Sequence, residues 1–159
     1  MANLLELKDY LATRNIEVWE YAEPTATAMA AANAVGCRVA EIAKTLLFLV
    51  GGKAVAVVTC GDMKVKSSRL KQASGFSGKV KLPQADEVLS YTGYMPGGVC
   101  PFMLPENLPL FLDTSLQRFP VVYAAAGNNH SAVPVTAAQL EQLTGGEIVD
   151  LCDPISENF

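Results

Sequence analysis

Two apolar runs around a Gly-Gly pair constrain the fold of this chain more than any other feature. Ala43–Val50 is apolar except at Lys44 and Thr45, and residues 54–60 form a second run just after Gly51-Gly52. Valine, isoleucine and phenylalanine favour strands, and a two-residue glycine turn suits the twist of an antiparallel pair. The pattern predicts a β-hairpin that is buried on most of both faces.

Shorter patterns predict helices and further strands on both sides of this hairpin. The predicted helices cover residues 4–14, the alanine-rich stretch between a cap at Thr25 or Thr27 and Gly36, residues 67–74 after a cap at Ser67 or Ser68, residues 84–91, and residues 137–143 after Thr136. The predicted strands cover residues 16–21, 110–112, 121–124 and 132–135 and a last one at Ile148, and residues 92–109 are a predicted loop. Because these elements lack a regular βαβ alternation, we expect an α+β fold with a mixed, curled, barrel-like sheet.

The composition narrows the class of protein. Of the 159 residues, 50% are apolar and 18% are charged, against about 25% charged in an average globular chain. Such a chain is neither disordered nor a coiled coil, and it fits one domain over residues 1–159. The apolar runs are shorter than the ~20 residues of a membrane span, and the charged N-terminal residues are unlike a signal peptide. We therefore expect a cytoplasmic protein with no membrane partner.

The cysteines and the single histidine give no sign of a metal site. Cys37, Cys60, Cys100 and Cys152 contain no C-x-x-C pair, and His130 alone cannot complete a zinc set. Reduced, buried thiols are expected, with no metal and no cofactor.

Positive charge is concentrated in one segment of an acidic chain. The net charge is −4, but residues 53–81 hold seven lysines and arginines against one aspartate, which gives +6 there and −10 elsewhere. This segment fits a face that binds a phosphate chain, and it fits a solvated lysine-rich surface equally well. Its candidate contacts with nucleic acid are Lys64, Lys66, Arg69 and Lys71.

Lys44 interrupts the first strand of the hairpin. Lysine is rarely buried, so an inward-facing Lys44 needs an anionic partner or marks a site. The alternative is a solvated lysine whose stem lies over its apolar neighbours.

Two further segments carry groups that could contact a ligand. Residues 91–102 contain Gly97-Gly98 between Pro96 and Pro101, and such a loop can bring backbone N–H groups to a carbonyl oxygen on which negative charge develops. Residues 123–131 run from a strand into Gly127-Asn128-Asn129-His130, which would place polar groups at a strand end. An ordinary surface loop and a plain turn are the alternatives.

Cys100 is a candidate nucleophile with His130 as its only candidate base. A catalytic cysteine needs a neighbour that lowers its pKa, and the sequence assures none. A small side chain lining a pocket is the favoured interpretation of Cys100.

Taken in order, these segments resemble a known family. They are Lys-Thr-Leu-Leu-Phe at 44–48, Cys-Gly-Asp-x-x-Val-x-x-x-x-Leu at 60–70, Thr-Gly-Tyr-x-x-Gly-Gly-Val-x-Pro at 92–101, Leu-Asp at 112–113 and Tyr-x-x-x-Gly at 123–127. The combination is similar to the YbaK / prolyl-tRNA-synthetase-associated editing domain family over nearly the whole chain. The resemblance implies a compact α+β domain that acts as a free-standing aminoacyl-tRNA deacylase, often on mischarged tRNA(Pro), with prolyl-tRNA synthetase as a possible partner.

The resemblance also implies which residues form the site. Lys44 matches the key lysine of the family, and residues 97–101 match its Gly-x-x-x-Pro loop. We expect Gly97 and Gly98 amides to hold the ester carbonyl, Lys44 to anchor the terminal phosphate or orient the carbonyl, and water to attack with help from the ribose hydroxyl or the substrate side chain. The expected substrate-binding residues are Tyr21, Thr45, Val99, Cys100, Pro101, Asp113, Gly127 and His130.

Departures from the family pattern at Pro96, Cys100 and residues 128–130 leave the amino acid open. Two other functions also remain open at this point. One is a module that binds tRNA or an aminoacyl-adenosine without cleaving it, and the other is a hydrolase that depends on Cys100 and His130.

Overall fold

A computed structural model describes residues 3–155 as a mixed α/β structure. Its helices are α1 (Leu4–Ala12), α2 (Ala28–Val35), α3 (Ser67–Ser74), α4 (Ala85–Thr92) and α5 (Ala137–Thr144), with 3-10 helices at Val39–Glu41 and Thr114–Arg118. Its strands are β1 (Trp19–Glu20), β2 (Ala43–Val50), β3 (Lys53–Cys60), β4 (Met63–Val65), β5 (Val80–Lys81), β6 (Leu110–Asp113), β7 (Val122–Ala124), β8 (Ser131–Val135), β9 (Glu147–Val149) and β10 (Cys152–Pro154).

The predicted hairpin is confirmed and forms the centre of a five-stranded mixed sheet. Strands β2 and β3 pair antiparallel without a break, from Ala43 opposite Cys60 to Val50 opposite Lys53. The strand order is β5-β2-β3-β6-β9, in which β6 and β9 run parallel to β3 and β5 pairs only with the far end of β2. Residues 43–48 of β2 therefore lie at a sheet edge that β5 does not cover.

Two smaller sheets complete the arrangement. Strands β1, β8 and β7 form a three-stranded sheet that meets the start of β2 through a single parallel bridge between Ile42 and Tyr123. Strands β10 and β4 form a two-stranded antiparallel sheet. Within residues 3–155 the strands form three sheets rather than a closed barrel, so the expected barrel-like closure is not confirmed.

Several element boundaries differ from the prediction for local physical reasons. The strand predicted over residues 16–21 shrinks to β1, because Ile16 is buried and its N–H donates to the carbonyl of Leu11 at the end of α1. Helix α3 begins after Lys66, so the serines predicted as its cap lie in its first turn. Strands β4, β5 and β10 were not predicted, since two or three residues show no periodicity.

The buried carboxylate of Asp113 joins distant parts of the chain. It accepts hydrogen bonds from the N–H of Leu151 at 2.8 Å and of Ser115 at 3.1 Å, and Thr59 Oγ1 lies 3.5 Å away. These contacts connect β3, β6, the following 3-10 helix and the segment before β10. Asp113 thus has the contacts of a structural residue in the core.

We expect Asp113→Ala to lower the free energy of unfolding by about 3 kcal/mol, because two buried N–H groups lose their acceptor. Denaturant unfolding measures the change. Asp150→Ala is the matched control: that carboxylate lies at the surface in an ion pair with Arg69, and its loss should leave the unfolding midpoint nearly unchanged. Equal midpoints for Asp113→Ala and the unmodified chain would contradict the assignment.

Candidate functional site

A cavity of about 280 Å³ lies where four segments of the chain meet. They are the N-terminal end of α2, the start of β2, the glycine loop near residue 97, and the adjoining ends of β7 and β8. The lining residues are Thr25, Ala26, Thr27, Ala28, Ala31, Ile42, Ala43, Lys44, Thr45, Leu46, Gly97, Val99, Tyr123, Ala124, Ala125, Ser131 and Ala132. Four of the predicted site residues, Lys44, Thr45, Gly97 and Val99, therefore line one cavity.

Lys44 is a half-buried cation without a carboxylate partner. No Asp or Glu side chain of residues 3–155 lies within ion-pair distance of its ammonium group. Burial lowers the pKa of Lys44 from its usual value, while nearby Cys152 and Asp62 act in the opposite direction. A cation that loses hydration and gains no anion is costly in a folded protein, and a bound anionic group would remove that cost.

Thr45 brings an unsatisfied hydroxyl to the same cavity. Its Oγ1 is buried and makes no hydrogen bond within residues 3–155. The N–H of Gly61 donates to the carbonyl of Ile42 at 2.8 Å, which shows that the backbone N–H and C=O groups of the even-numbered residues of β2 point toward β3. Those of the odd-numbered residues, including Thr45, therefore point to the other edge of β2. Thr45 therefore offers a hydroxyl, an N–H and a carbonyl at the uncovered edge of β2.

The glycine loop owes its shape to a tight turn. The N–H of Gly98 donates to the carbonyl of Met95 at 3.0 Å, Pro96 occupies the second turn position, and Gly97 has φ +88°. This is the pattern of a type II turn, which requires a residue with positive φ at its third position. The amide of Gly98, which was predicted to hold an ester carbonyl, is thus already in a hydrogen bond.

The remaining amides of the loop stay available. Among residues 3–155 the N–H groups of Gly97 and Val99 have no hydrogen-bond acceptor, and both residues line the cavity. Gly98 instead allows a close approach, since a Cβ there would lie 2.7 Å from the Cα of Asn128. The loop is consequently pressed against the Asn128 turn, with Gly97 and Val99 at the cavity.

A network of three hydrogen bonds holds together the part of the cavity lining that comes before α2 and at the start of β8. Thr25 donates its N–H to the carbonyl of Asn129 and accepts at Oγ1 from the N–H of Ser131 at 3.1 Å. Ser131 Oγ in turn accepts from the N–H of Ala126 at 3.0 Å. Thr27, the second of the two predicted caps, is the one that caps α2, through Ala30. Thr25 instead joins the segment before α2 to β8.

The other residues predicted to bind substrate lie outside the cavity lining. Pro101 is buried, Gly127 packs on the Tyr94 ring, and Asp113 lies in the core. The backbone N–H of Tyr21 donates to the carbonyl of His130. Burial raises the pKa of the Tyr21 phenol, and nearby Cys37 and Tyr123 act in the same direction.

The pair Cys100 and His130 is not brought together. Cys100 is fully buried, its thiol donates to the carbonyl of Phe102 at 3.7 Å, and burial raises its pKa to about 11. His130 is exposed, and its Nδ1 lies 3.2 Å from the carbonyl oxygen of Glu23. A protonated thiol without a base cannot act as a nucleophile at neutral pH, so this geometry does not favour the cysteine hydrolase.

Ion pairs involve two of the four predicted nucleic-acid contacts in the basic segment. Arg69 contacts both Asp150 at 3.4 Å and Asp153 at 3.0 Å, and Lys66 lies 3.8 Å from Asp153. Lys64 and Lys71 are exposed and form no ion pair within residues 3–155. Acidic residues far along the chain therefore neutralise half of the predicted phosphate contacts.

Sequence reasoning missed several lining residues. Thr25, Tyr123 and Ser131 line the cavity, yet none was named as a site residue, and the sequence marked Thr25 only as a possible helix cap. Their one sequence signal is proximity to the marked segments, since Tyr123 and Ser131 flank the Gly-Asn-Asn-His turn. Within the described part of the chain, no three His, Cys, Asp or Glu side chains lie together as metal ligands.

Comparisons with known proteins bear on the family to which this chain belongs. Residues 22–143 match the family described as the aminoacyl-tRNA editing domain. YwhH of Bacillus subtilis (strain 168), named only as an uncharacterized protein, is 35% identical over 141 residues, which cover 87% of this chain and 88% of that protein. The chain belongs to the aminoacyl-tRNA editing domain family.

Two further matches bear on this editing domain. A crystal structure described as "a putative trans-editing enzyme for prolyl tRNA synthetase" superposes with a TM-score of 0.83 at 30% identity and covers 96% of this chain and 99% of that chain. The "Putative Cys-tRNA(Pro)/Cys-tRNA(Cys) deacylase EbsC" of Enterococcus faecalis (strain ATCC 700802 / V583) is 26% identical over 133 residues, or 82% of this chain and 80% of that protein. No helix of the editing domain within residues 3–155 has the length and apolar character to cross a membrane.

The unsatisfied hydroxyl of Thr45 gives a stability test. We expect Thr45→Val to leave the Tm unchanged or to raise it by about 1–3 °C, because it removes a buried hydroxyl that has no partner. Thr59→Val is the matched control on the neighbouring strand, since Thr59 Oγ1 lies within 3.5 Å of Asp113, Ser115 and Cys152 and its loss should lower the Tm. Equal losses in the two variants, by thermal denaturation, would mean that the Thr45 hydroxyl is paired in solution.

Proposed function

We propose that this protein is a free-standing deacylase that hydrolyses the ester of a small amino acid mischarged onto tRNA, with tRNA(Pro) as the first candidate. The single observation that carries the proposal is the unpaired, half-buried Lys44 in a small cavity of an aminoacyl-tRNA editing domain. The 3′ end of an aminoacyl-tRNA supplies what this cavity lacks, namely a phosphate for the ammonium group and a carbonyl for free amides.

Lys44 anchors the terminal phosphate or orients the ester carbonyl, as a compact point charge can. The amides of Gly97 and Val99 stabilise the oxyanion that forms when water attacks, and the turn closed by Gly98 holds them in place. An aminoacyl ester is already activated, so positioning and oxyanion stabilisation are sufficient without a side-chain nucleophile. The attacking water is assisted by the ribose hydroxyl or by the side chain of the bound amino acid.

The cavity favours a small amino acid. Seven alanines are among its lining residues, at positions 26, 28, 31, 43, 124, 125 and 132. Because one extra methylene in such a pocket changes binding by roughly 1–3 kcal/mol, the pocket discriminates by size only to a limited extent. Alanine, serine and cysteine are the candidates to test first.

Contact with the body of the tRNA is assigned to the basic segment. Lys64 and Lys71 are free to bind phosphates, while Lys66 and Arg69 bind them only by exchanging or sharing their aspartate partners. Prolyl-tRNA synthetase is the proposed partner, because a structural neighbour is described as "a putative trans-editing enzyme for prolyl tRNA synthetase".

Loss of the Lys44 charge is the direct test. We expect Lys44→Met to reduce hydrolysis of tRNA(Pro) mischarged with alanine, serine or cysteine by at least about 100-fold, since an electrostatic contact to the reacting group is lost. The Tm should not fall, because the substitution removes a half-buried unpaired cation. Amino-acid release from the charged tRNA and thermal denaturation are the two measurements.

Cys100→Ser separates this proposal from the cysteine hydrolase. It should keep most of the activity, since the thiol is buried, protonated and outside the cavity lining. If Lys44→Met is active and Cys100→Ser is inactive, the proposed mechanism is wrong and the cysteine hydrolase is supported. A wild-type chain that binds the charged tRNAs and releases no amino acid would instead support the binding module.

The salt dependence of tRNA binding tests the basic segment. We expect Lys64→Ala with Lys71→Ala to weaken binding of tRNA(Pro) and to flatten the slope of log K against log salt by about 1.4–1.8, since each lost phosphate contact contributes about 0.7–0.9. The preference among attached amino acids should stay the same, because phosphate contacts position the tRNA without reading the amino acid. An unchanged slope would show that the segment is only a solvated surface.

A further inference from the structure

A second depression adjoins the cavity and shares two residues with it. This groove, of about 320 Å³, is bounded by β2, β4, β5 and Ile155, and Lys44 and Leu46 line both it and the cavity. Side chains alternate along a strand, so Lys44, Leu46 and Phe48 lie on one face of β2 and lead from the cavity into the groove. At about 3.3 Å per residue these positions span about 13 Å, the length of a few nucleotides.

The groove combines positive charge with an apolar lining. Lys44, Lys64 and Lys81 line it, and no Asp or Glu of residues 3–155 does. Its apolar lining residues include Leu46, Phe48, Met63, Val65, Val80 and Leu82. Leu82 is 74% exposed, one of the most exposed large apolar side chains in the described chain. A lysine-lined groove with apolar surfaces fits a single-stranded nucleic acid, whose phosphates pair with lysines and whose bases pack on flat apolar surfaces.

We propose that this groove binds the single-stranded nucleotides that precede the terminal adenosine of the tRNA, with Lys81 on a phosphate and Leu82 against a base. The inference rests on the proposed function, because the cavity must first hold the aminoacylated adenosine. The occupant follows from continuity: a chain whose last nucleotide has its phosphate at Lys44 and its amino acid in the cavity continues along β2 into the groove. Lys81 and Leu82 are placed on this path by the groove itself, because both residues line it together with Lys44 and Leu46.

A short RNA distinguishes the groove from the cavity. The probes are the trinucleotide CCA, labelled at its 5′ end, and adenosine 5′-monophosphate, which is too short to enter the groove. We expect Lys81→Ala with Leu82→Ala to weaken CCA binding at least five-fold and to flatten its salt slope by about 0.7, the single-strand value for one phosphate. Binding of adenosine 5′-monophosphate should remain within two-fold of the wild type. Fluorescence anisotropy and competition measure the two affinities.

Two further variants make the test specific. Leu82→Trp should tighten CCA binding, because an aromatic ring offers a better stacking surface than leucine. Lys79→Ala is the matched control, an exposed lysine two residues away that does not line the groove, and it should change neither affinity. Equal CCA binding by the Lys81/Leu82 double variant and the wild type would overturn the proposal. Displacement of CCA by polyglutamate at the same charge concentration would overturn it as well, because polyglutamate carries negative charge without bases.

Hydrolysis by the wild-type chain separates this inference from the proposed function. If the wild type deacylates mischarged tRNA(Pro) while the double variant keeps the same KM, nucleotide binding in the groove is ruled out and the proposed deacylase function is supported. If CCA binding depends on Lys81 and Leu82 while no charged tRNA is hydrolysed, nucleotide binding in the groove is supported and the proposed deacylase function is wrong.

Discussion

The pairing of β2 with β3 is the interaction on which the rest of the structure depends. All eight residues of each strand are in register, and residues 55–60 of β3 are fully buried. The far edge of β3 is covered by β6, with β9 beyond it. Within residues 3–155 the far edge of β2 pairs with β5 at Leu49 and Val50 and meets β7 just before the strand, through the bridge at Ile42. The uncovered edge at residues 43–48 is where both the cavity and the groove lie, so one hairpin provides the centre of the core and one wall of the site.

The site carries groups that do not serve stability. Lys44 is half-buried without an anion, and Thr45 has a buried hydroxyl without a partner within the described residues. Both interrupt an otherwise apolar strand, at the point where the sheet edge is open. On the next two strands of the sheet, β3 and β6, the polar residues Thr59 and Asp113 are buried and hydrogen-bonded. Paired polar groups of this kind stabilise a core, whereas unpaired ones are the candidates for contact with a ligand.

Local sequence determined the elements that depend on neighbours along the chain. The hairpin, the helix after Thr27, the helix after Thr136 and the glycine loop were predictable, because strand periodicity, capping and turn chemistry act over a few residues. Lys44 stood out for the same reason, as a charge in an apolar run. The order of these segments was also enough to indicate the family, which the match over residues 22–143 confirms.

Tertiary structure decided which polar groups remain free, because that depends on contacts between residues far apart in the chain. Arg69 sits in a basic segment, yet Asp150 and Asp153 neutralise it from more than 80 positions away. Asp113 is held by Leu151 in the core, so its place in a family motif did not reveal its contacts. The turn that occupies the Gly98 amide is local, but only the approach of Asn128 shows why glycine is needed there. Sequence alone was enough to predict the chemistry of the site, whereas packing between distant segments determined which of its polar groups remain unpaired within the described residues.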